Sequence, residues 1–255
     1  MVQQYERTSD SVAKALKKGH FPIVLTGDHS NAGGTISGLV KAFPEKSLGI
    51  IWIDAHADLH TPYTSPSGNI HGMPLAAMLG LNEQARVKFG LRPNAINEET
   101  QKAWEELKSV GGKSPKVDGS NIVFLALRDT EEEEDFLIQH EGMTVYTVDE
   151  ARKAGLKHTA KDALRVLKDV DMIHVSFDVD SLDCDLVSHG TGTPVSNGLE
   201  IKEVIAFLSV ILSEPKVCCF EITEVNPTLD EKKNAMGDAA FDILHKATRV
   251  IEAFQ

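Results

Sequence analysis

The chain has 255 residues, 42% of them hydrophobic, which suffices for one large domain with a single core or at most two smaller ones. The net charge of −12 without a basic cluster argues against a nucleic-acid partner or an anionic membrane surface. Three cysteines, two of them adjacent, argue against a disulfide framework. With no apolar signal core and no apolar run of membrane-spanning length, we expect a soluble, cytoplasmic protein.

Short apolar runs alternate with amphipathic segments along the chain. The apolar runs predict strands at 21–25, 48–53, 122–127, 143–148, 172–177 and 217–222. Helical periodicity predicts helices at 9–18, 34–42, 98–108, 159–168, 200–212 and 235–253. This alternation predicts one α/β domain over residues 1–255, with a mostly parallel sheet and helices on both faces. The segment 90–120 predicts an irregular connection around one helix.

Three short clusters of Asp and His directly follow three of the predicted strands. They read Asp28-His29, Asp54-Ala55-His56-Ala57-Asp58 and Asp178-Val179-Asp180. Ligands of open parallel sheets bind outside the carboxyl ends of the strands, so these side chains are expected to meet at one edge. A single such cluster is more often a turn or a helix cap. Three at matching strand ends predict a site for two divalent cations, and the donors suit manganese or magnesium better than structural zinc.

The other polar signals are weaker. His174 lies inside an apolar strand, which predicts a core histidine with satisfied hydrogen bonds. His60 and His71 lie within or just past the second cluster and are candidates for the same site. The acidic run 131–135 predicts a solvated helix surface. Surface positions are predicted for the remaining helical or turn histidines, His20, His140, His158 and His245.

Three stretches of the chain resemble the signatures of the ureohydrolases, the family that contains arginase, agmatinase and formimidoylglutamase. They are Gly27-Asp28-His29-Ser30, the cluster 54–58, and the run Ser176-Phe177-Asp178-Val179-Asp180-Ser181-Leu182-Asp183. The resemblance extends from Gly19 to the C-terminus and includes Gly192-Thr193-Pro194. The string Ser65-Pro66-Ser67-Gly68-Asn69-Ile70-His71-Gly72-Met73-Pro74 and Glu224-Val225-Asn226-Pro227 resemble the arginase branch in particular.

The resemblance implies an arginase-like three-layer fold, a homo-oligomer (trimer or hexamer), and a place in arginine metabolism. The implied reaction converts L-arginine to L-ornithine and urea through a hydroxide that bridges two manganese ions. A bound dication lowers the pKa of water from about 15.7 to near 7, which provides a nucleophile at neutral pH. One implied ligand set is His29, Asp54, Asp58 and Asp178. The other is Asp54, His56, Asp178 and Asp180, so that Asp54 and Asp178 bridge the ions.

The same resemblance implies roles for residues around the metals. Asp58 would pass a proton to the leaving amine, and His71 would shuttle protons. Glu224 would pair with the guanidinium, which a carboxylate can bond at two places. Contacts to the rest of the substrate are implied for Ser67, Asn69, His60, Glu131 and Thr193.

The sequence departs from the arginase pattern at three places. His60 stands where Asn is usual, and Glu131 stands where Asp is usual. Both lie in the part of the pocket that separates arginine from shorter or decarboxylated guanidines. The part of the chain before the first signature is also short relative to the family.

Three alternative functions stay open at this point. A related amidinohydrolase acting on agmatine, guanidinobutyrate or formiminoglutamate fits the same metal centre. A metal-dependent deacetylase has a similar fold but uses one zinc ion. A non-enzymatic assembly or binding subunit would not need six intact ligands.

Overall fold

The strands of the chain form a single parallel sheet. A computed structural model gives this architecture and describes residues 1–83, 87, 90 and 92–254. The strands are β1 Ile23–Leu25, β2 Leu48–Ile53, β3 Ile122–Leu125, β4 Thr144–Tyr146, β5 Met172–Asp178 and β6 Val217–Thr223. Their order across the sheet is β1-β6-β5-β2-β3-β4, and each neighbouring pair is parallel. The predicted single α/β domain is confirmed, and every predicted strand agrees with the observed one within two residues at each end.

Helices cover both faces of this sheet. In the described part of the chain they are α1 Val2–Lys17, α2 Ala32–Ala42, α3 Pro74–Met78, α4 Glu98–Ser109, α5 Glu132–His140, α6 Val148–Ala154, α7 Leu156–Val166, α8 Ile201–Ile211 and α9 Ala235–Phe254. All the predicted helices exist, although α1 begins seven residues before the predicted start. The helices α3 and α6 were not predicted, and α5 was predicted only as a helix surface at 131–135. Irregular backbone flanks α4 as expected, with residue 91 outside the described residues.

The alternation of side chains along the central strands divides the core into two layers. In β2, Ile50 and Trp52 belong to a core shared with α1, α2, α3 and α4. Ile51 and Ile53 belong to a second core, shared with α7, α8 and α9, because successive side chains point to opposite faces. Burial on both faces explains why these strands read as continuous apolar runs. Among the described residues, no helix combines the length and apolarity needed to cross a bilayer.

The strand order brings together the segments that carry the sequence motifs. The four adjacent strands β1, β6, β5 and β2 all end at the same edge, because the sheet is parallel. His29 follows β1, Glu224 follows β6, and Asp178 ends β5. Asp54 follows β2. Segments separated by nearly 200 residues of sequence therefore meet at one edge of the sheet.

Close packing between α1 and α2 depends on glycine. A methyl group added at Gly38 of α2 would lie 2.7 Å from Val12 Cβ and 2.9 Å from the carbonyl oxygen of Ser9, both on α1. Real Cβ atoms do not approach other atoms so closely, so α1 would have to move away from α2.

We expect Gly38→Ala to lower the free energy of unfolding by about 1–2 kcal/mol, because overpacking outweighs the gain of about 1 kcal/mol in helix propensity. Denaturant unfolding of both proteins measures this difference. Gly27→Ala is the matched control, since an added methyl there meets nothing within 4 Å. A Gly38→Ala protein as stable as the control would show that the two helices adjust without loss.

Candidate metal centre and substrate pocket

Four of the predicted ligands converge on one point beyond the sheet edge. His29 Nδ1 lies 3.0 Å from Asp54 Oδ2 and 3.1 Å from Asp58 Oδ2. It also lies 3.0 Å from Asp178 Oδ2. All four residues are buried. The position of His29 is set by Asp28, whose side chain accepts a hydrogen bond from the backbone N–H of Ser30 and begins a short 3-10 turn.

A second group lies beside the first and shares Asp54 with it. His56 Nδ1 lies 3.0 Å from Asp180 Oδ2 and 3.5 Å from Asp54 Oδ1. Asp54 therefore presents one carboxylate oxygen to each group. Asp178 lies with the first group, and its Oδ1 accepts a hydrogen bond from the backbone N–H of Asp180. The structure thus brings the six predicted ligands together in two groups, each with the donors to hold a metal ion.

The electrostatics of these groups fit divalent cations. Burial, followed by repulsion from Asp180 and Asp54, raises the pKa of Asp178 well above its ordinary value. Burial and the charge of Asp54 raise the pKa of Asp58 to about 6. Within the described part of the chain, His29 Nδ1, Asp54 Oδ2 and Asp58 Oδ2 are buried without a hydrogen-bond partner. Buried polar atoms normally have partners, and a cation at the first group would supply them.

The surrounding residues hold the ligand side chains in orientation. His29 Nε2 lies 2.9 Å from Ser176 Oγ, and the imidazole stacks on Trp52 with ring centroids 4.0 Å apart. Thr193 Oγ1 donates a hydrogen bond of 3.0 Å to Asp180 Oδ2. The other nitrogen of His56 lies 3.5 Å from Asp129 Oδ2. Of these residues only Thr193 was singled out from the sequence, although Ser176 lies within the third signature and Asp129 follows β3.

Two residues of the site have an unusual backbone conformation. Asp58 has φ 53° and Glu224 has φ 68°, in the left-handed region that residues other than glycine rarely adopt. Glu224 Oε1 accepts a hydrogen bond of 2.7 Å from the backbone N–H of His29, which ties the end of β6 to the segment after β1. Burial raises the pKa of Glu224. This geometry places a carboxylate beside the first ligand group, where it can receive a cation.

A cavity of about 140 Å³ adjoins both ligand groups, through His56 and Asp58. Its walls include six predicted substrate-side or catalytic residues, Asp58, His60, Ser67, Asn69, His71 and Glu131, and also Glu134, which was not predicted. A larger groove of about 670 Å³ between α1 and β1 is lined by none of the predicted site residues. The smaller cavity is therefore the candidate substrate pocket, because it alone of the two adjoins the buried charges.

Two expectations from the sequence are wrong. The acidic run is not solvated throughout, because Glu134 is only 3% exposed and accepts a hydrogen bond from the backbone N–H of Leu59. A capping box with Glu131 at the start of α5 turns Glu134 toward the protein interior. His174 is a core residue as expected, but neither ring nitrogen makes a hydrogen bond with a described residue. Its nearest partner is Glu221, with Nε2 and Oε2 3.4 Å apart.

A parallel α/β sheet with paired Asp and His groups at its carboxyl edge fits a hydrolase of the ureohydrolase class. The sequence model of the arginase family matches residues 2–249, and the chain belongs to this family. The predicted family and the class of enzyme, a hydrolase of the C–N bonds of linear amidines, are therefore confirmed. Membership of this family of enzymes also argues against a non-enzymatic assembly or binding subunit.

Relatives and solved structures agree with this assignment. The arginase of Brevibacillus brevis is 39% identical over 233 residues, which cover 91% of this chain and 70% of the relative. The native structure of Bacillus caldovelox arginase at pH 5.6 matches with a TM-score of 0.82 and 34% identity, covering 96% of this chain and 74% of that one. Entamoeba histolytica arginase in complex with L-ornithine matches with a TM-score of 0.79 and 30% identity, with coverages of 96% and 74%.

The contact between His29 and Ser176 gives a test of the ligand geometry. We expect Ser176→Ala to weaken manganese binding by about 10- to 100-fold, because the imidazole loses the partner that fixes its orientation. Titration calorimetry with manganese on the metal-free protein measures the affinity. Ser213→Ala, which removes a hydroxyl from the turn after α8, is the control. Equal affinities in the two variants would show that Ser176 does not orient His29 for metal binding.

Proposed function

We propose that this chain hydrolyses the guanidino group of L-arginine to give L-ornithine and urea, with two manganese ions per chain. The observation that carries the proposal is the pair of buried ligand groups that share Asp54 and adjoin both Glu224 and a narrow pocket. The relationship to the Brevibacillus brevis arginase and the L-ornithine complex of the Entamoeba relative support this choice of substrate.

The ligand atoms of the two groups support manganese as the proposed metal. His29, Asp54, Asp58 and Asp178 would hold one ion, and Asp54, His56, Asp178 and Asp180 would hold the other. Carboxylate oxygens with some imidazole suit manganese. The bound ions would orient a water molecule and lower its pKa, so that it attacks at neutral pH. Four carboxylates balance two dications, which leaves the centre close to neutral.

The protein side chains would perform the remaining steps. Glu224 would hold the planar guanidinium through two hydrogen bonds, which places its carbon beside the metal centre. Asp58 would accept the proton of the attacking water and transfer it to the leaving amine. His71, on the wall of the cavity, would exchange protons with solvent. At the far end, Ser67 and Asn69 would hydrogen-bond the α-carboxylate of the substrate.

The oligomeric state, the cellular location and the partners of the enzyme are also proposals. A homo-oligomer, trimer or hexamer, follows from the family resemblance. A cytoplasmic location is supported by the three cysteines, which are all free. The arginase family acts on small guanidino substrates, and we propose no nucleic-acid or membrane partner.

A second candidate is an amidinohydrolase acting on agmatine, guanidinobutyrate or formiminoglutamate. The contact of 2.6 Å between His60 and Glu131 favours it, because both residues depart from the arginase pattern and both line the cavity. The deacetylase alternative has less support, because a single zinc site does not need two ligand groups.

Metal removal gives the direct test of the proposed chemistry. We expect the chelated protein to release no urea from L-arginine, and manganese to restore release at a stoichiometry of two ions per chain. At a free manganese concentration of 100 times Kd, binding adds about 2.7 kcal/mol to the stability of the fold for each ion. Colorimetric urea assays, metal analysis and thermal unfolding measure these effects.

Variants make the same test specific to the site. Asp54→Asn removes the carboxylate shared by both ligand groups and is expected to abolish urea release. Asp171→Asn, on an exposed carboxylate bonded to Ser47, is the matched control. The proposal fails if manganese-loaded protein releases no urea from L-arginine, whereas turnover of agmatine, guanidinobutyrate or formiminoglutamate would favour the second candidate.

A further inference from the structure

A further group of metal-binding side chains lies in the loop that follows β5, outside the two Asp and His groups already described. Cys184 Sγ, a carboxylate oxygen of Asp185 and a ring nitrogen of His189 all lie within 4.8 Å of one another. All three belong to the segment 184–189, which comes after the last proposed manganese ligand, Asp180. The group combines a thiol, a carboxylate and an imidazole, whereas the manganese ligands contain no sulfur.

The backbone of this loop brings the three side chains together. Asp183 Oδ1 accepts a hydrogen bond of 3.0 Å from the backbone N–H of Asp185. The carbonyl oxygen of Asp183 accepts another, of 2.9 Å, from the N–H of Val187. This turn reverses the chain, so that His189 lies beside Cys184, five residues earlier. The protein therefore gathers the three groups through its own hydrogen bonds.

The three side chains are available to a cation. Asp185 and His189 are exposed, and in the described part of the chain neither side chain has a hydrogen-bond or ion-pair partner. Lys232 donates its hydrogen bond to the carbonyl oxygen of Asp185 and not to the carboxylate. Cys184 is 3% exposed, and its thiol makes only a long contact of 3.8 Å with Ser196 Oγ. A cation bound here would therefore displace no strong interaction.

The chemistry of the three groups favours zinc over manganese. A thiolate is a soft ligand that selects zinc, and imidazole and carboxylate complete a common zinc ligand set. Three protein ligands and one water molecule give the tetrahedral coordination that zinc prefers. Bonds of about 2.0–2.3 Å place such ligand atoms about 3.3–3.8 Å apart. The exposed side chains of Asp185 and His189 can close the remaining distance by changing rotamer.

The loop that carries this group also contacts the proposed catalytic centre. Within the loop 183–198, Thr193 Oγ1 donates a hydrogen bond of 3.0 Å to Asp180 Oδ2. The carbonyl oxygen of Gly190 accepts a hydrogen bond of 2.8 Å from the backbone N–H of Asn226, in the segment after β6. A cation that joins the start of the loop to position 189 would therefore restrict a segment that bridges β5 and β6.

We propose that Cys184, Asp185 and His189 form a binding site for one zinc ion, which clamps the first half of the loop 183–198. The site is separate from the proposed manganese centre and does not depend on which guanidino compound is hydrolysed. The thiol releases its proton to solvent when zinc binds, so the affinity rises with pH.

Cadmium provides the direct probe of this site, because it takes the same ligands as zinc and its bond to a thiolate absorbs in the ultraviolet. The metal is titrated into the manganese-loaded enzyme, and the absorbance is followed. We expect a cadmium–thiolate band that saturates at one ion per chain. Cys184→Ser is expected to abolish the band. His189→Asn is expected to weaken cadmium binding at least about tenfold, since even the loss of a residue behind a ligand weakens metal binding about 10- to 100-fold.

Matched controls separate this site from the other thiols and imidazoles. Cys218→Ser removes a thiol of β6 whose pKa burial raises to about 11, and it is expected to leave the band unchanged. His158→Asn makes the same substitution as His189→Asn at an exposed position of α7 and is expected to leave the affinity unchanged. The absence of a band in the wild type, or a band that persists in Cys184→Ser, would overturn the site. If Cys184→Ser folds poorly, the exposed variant His189→Asn decides, and an unchanged affinity there would overturn the site.

Hydrogen exchange tests the proposed clamp. We expect zinc to slow amide exchange in the segment 184–192 of the manganese-loaded wild type and to have no such effect in His189→Asn. Equal exchange with and without zinc in the wild type would overturn the clamp. Neither measurement requires turnover, so a protein that binds cadmium through Cys184 but releases no urea from L-arginine would contradict the proposed reaction and leave this site standing.

Discussion

The structure of the site depends on bringing four negatively charged carboxylates together in a buried space. Asp54, Asp58, Asp178 and Asp180 lie together with almost no exposure to water. Burial and mutual repulsion raise the pKa values of Asp58, Asp178 and Asp180, so holding these carboxylates together in their charged form costs free energy that bound cations would offset. Charges that are buried without partners destabilise a protein by several kcal/mol, about 3–5 for each broken pair. Cations bound at these groups would therefore stabilise this edge of the sheet.

The sheet supplies the rigidity that such an arrangement requires. Trp52 on β2 and Ser176 on β5 are cross-strand neighbours, and both contact His29. A ligand that follows the edge strand β1 is thus held by the two central strands. At the same edge, Asp58 and Glu224 keep left-handed backbone conformations. Such conformations persist only where the surrounding structure fixes them, which is consistent with positions set by function.

The proposed ligands and the other residues of the pocket are held by different parts of the fold. The proposed ligands follow strand ends and contact buried neighbours on the sheet. His60 and Glu131, on the wall of the cavity, come from the loop after β2 and from the start of α5. His60 contacts Thr64, Glu131 and Glu134 rather than the proposed ligands.

The sequence by itself determined the strands, the parallel α/β class and the clustering of Asp and His after three strands, since buried strands and ligand residues leave local patterns. The sequence did not show that Glu134 is buried, because an acidic run is typical of solvated surface. The side chain of Glu134 points inward only because it takes part in a capping box with Glu131. The sequence also did not show that Ser176, Trp52 and Asp129 support the ligands. The contact between His60 and Glu131 joins residues 71 positions apart. Only the tertiary structure could decide it, because such contacts depend on strand order and loop path, which have no local signature.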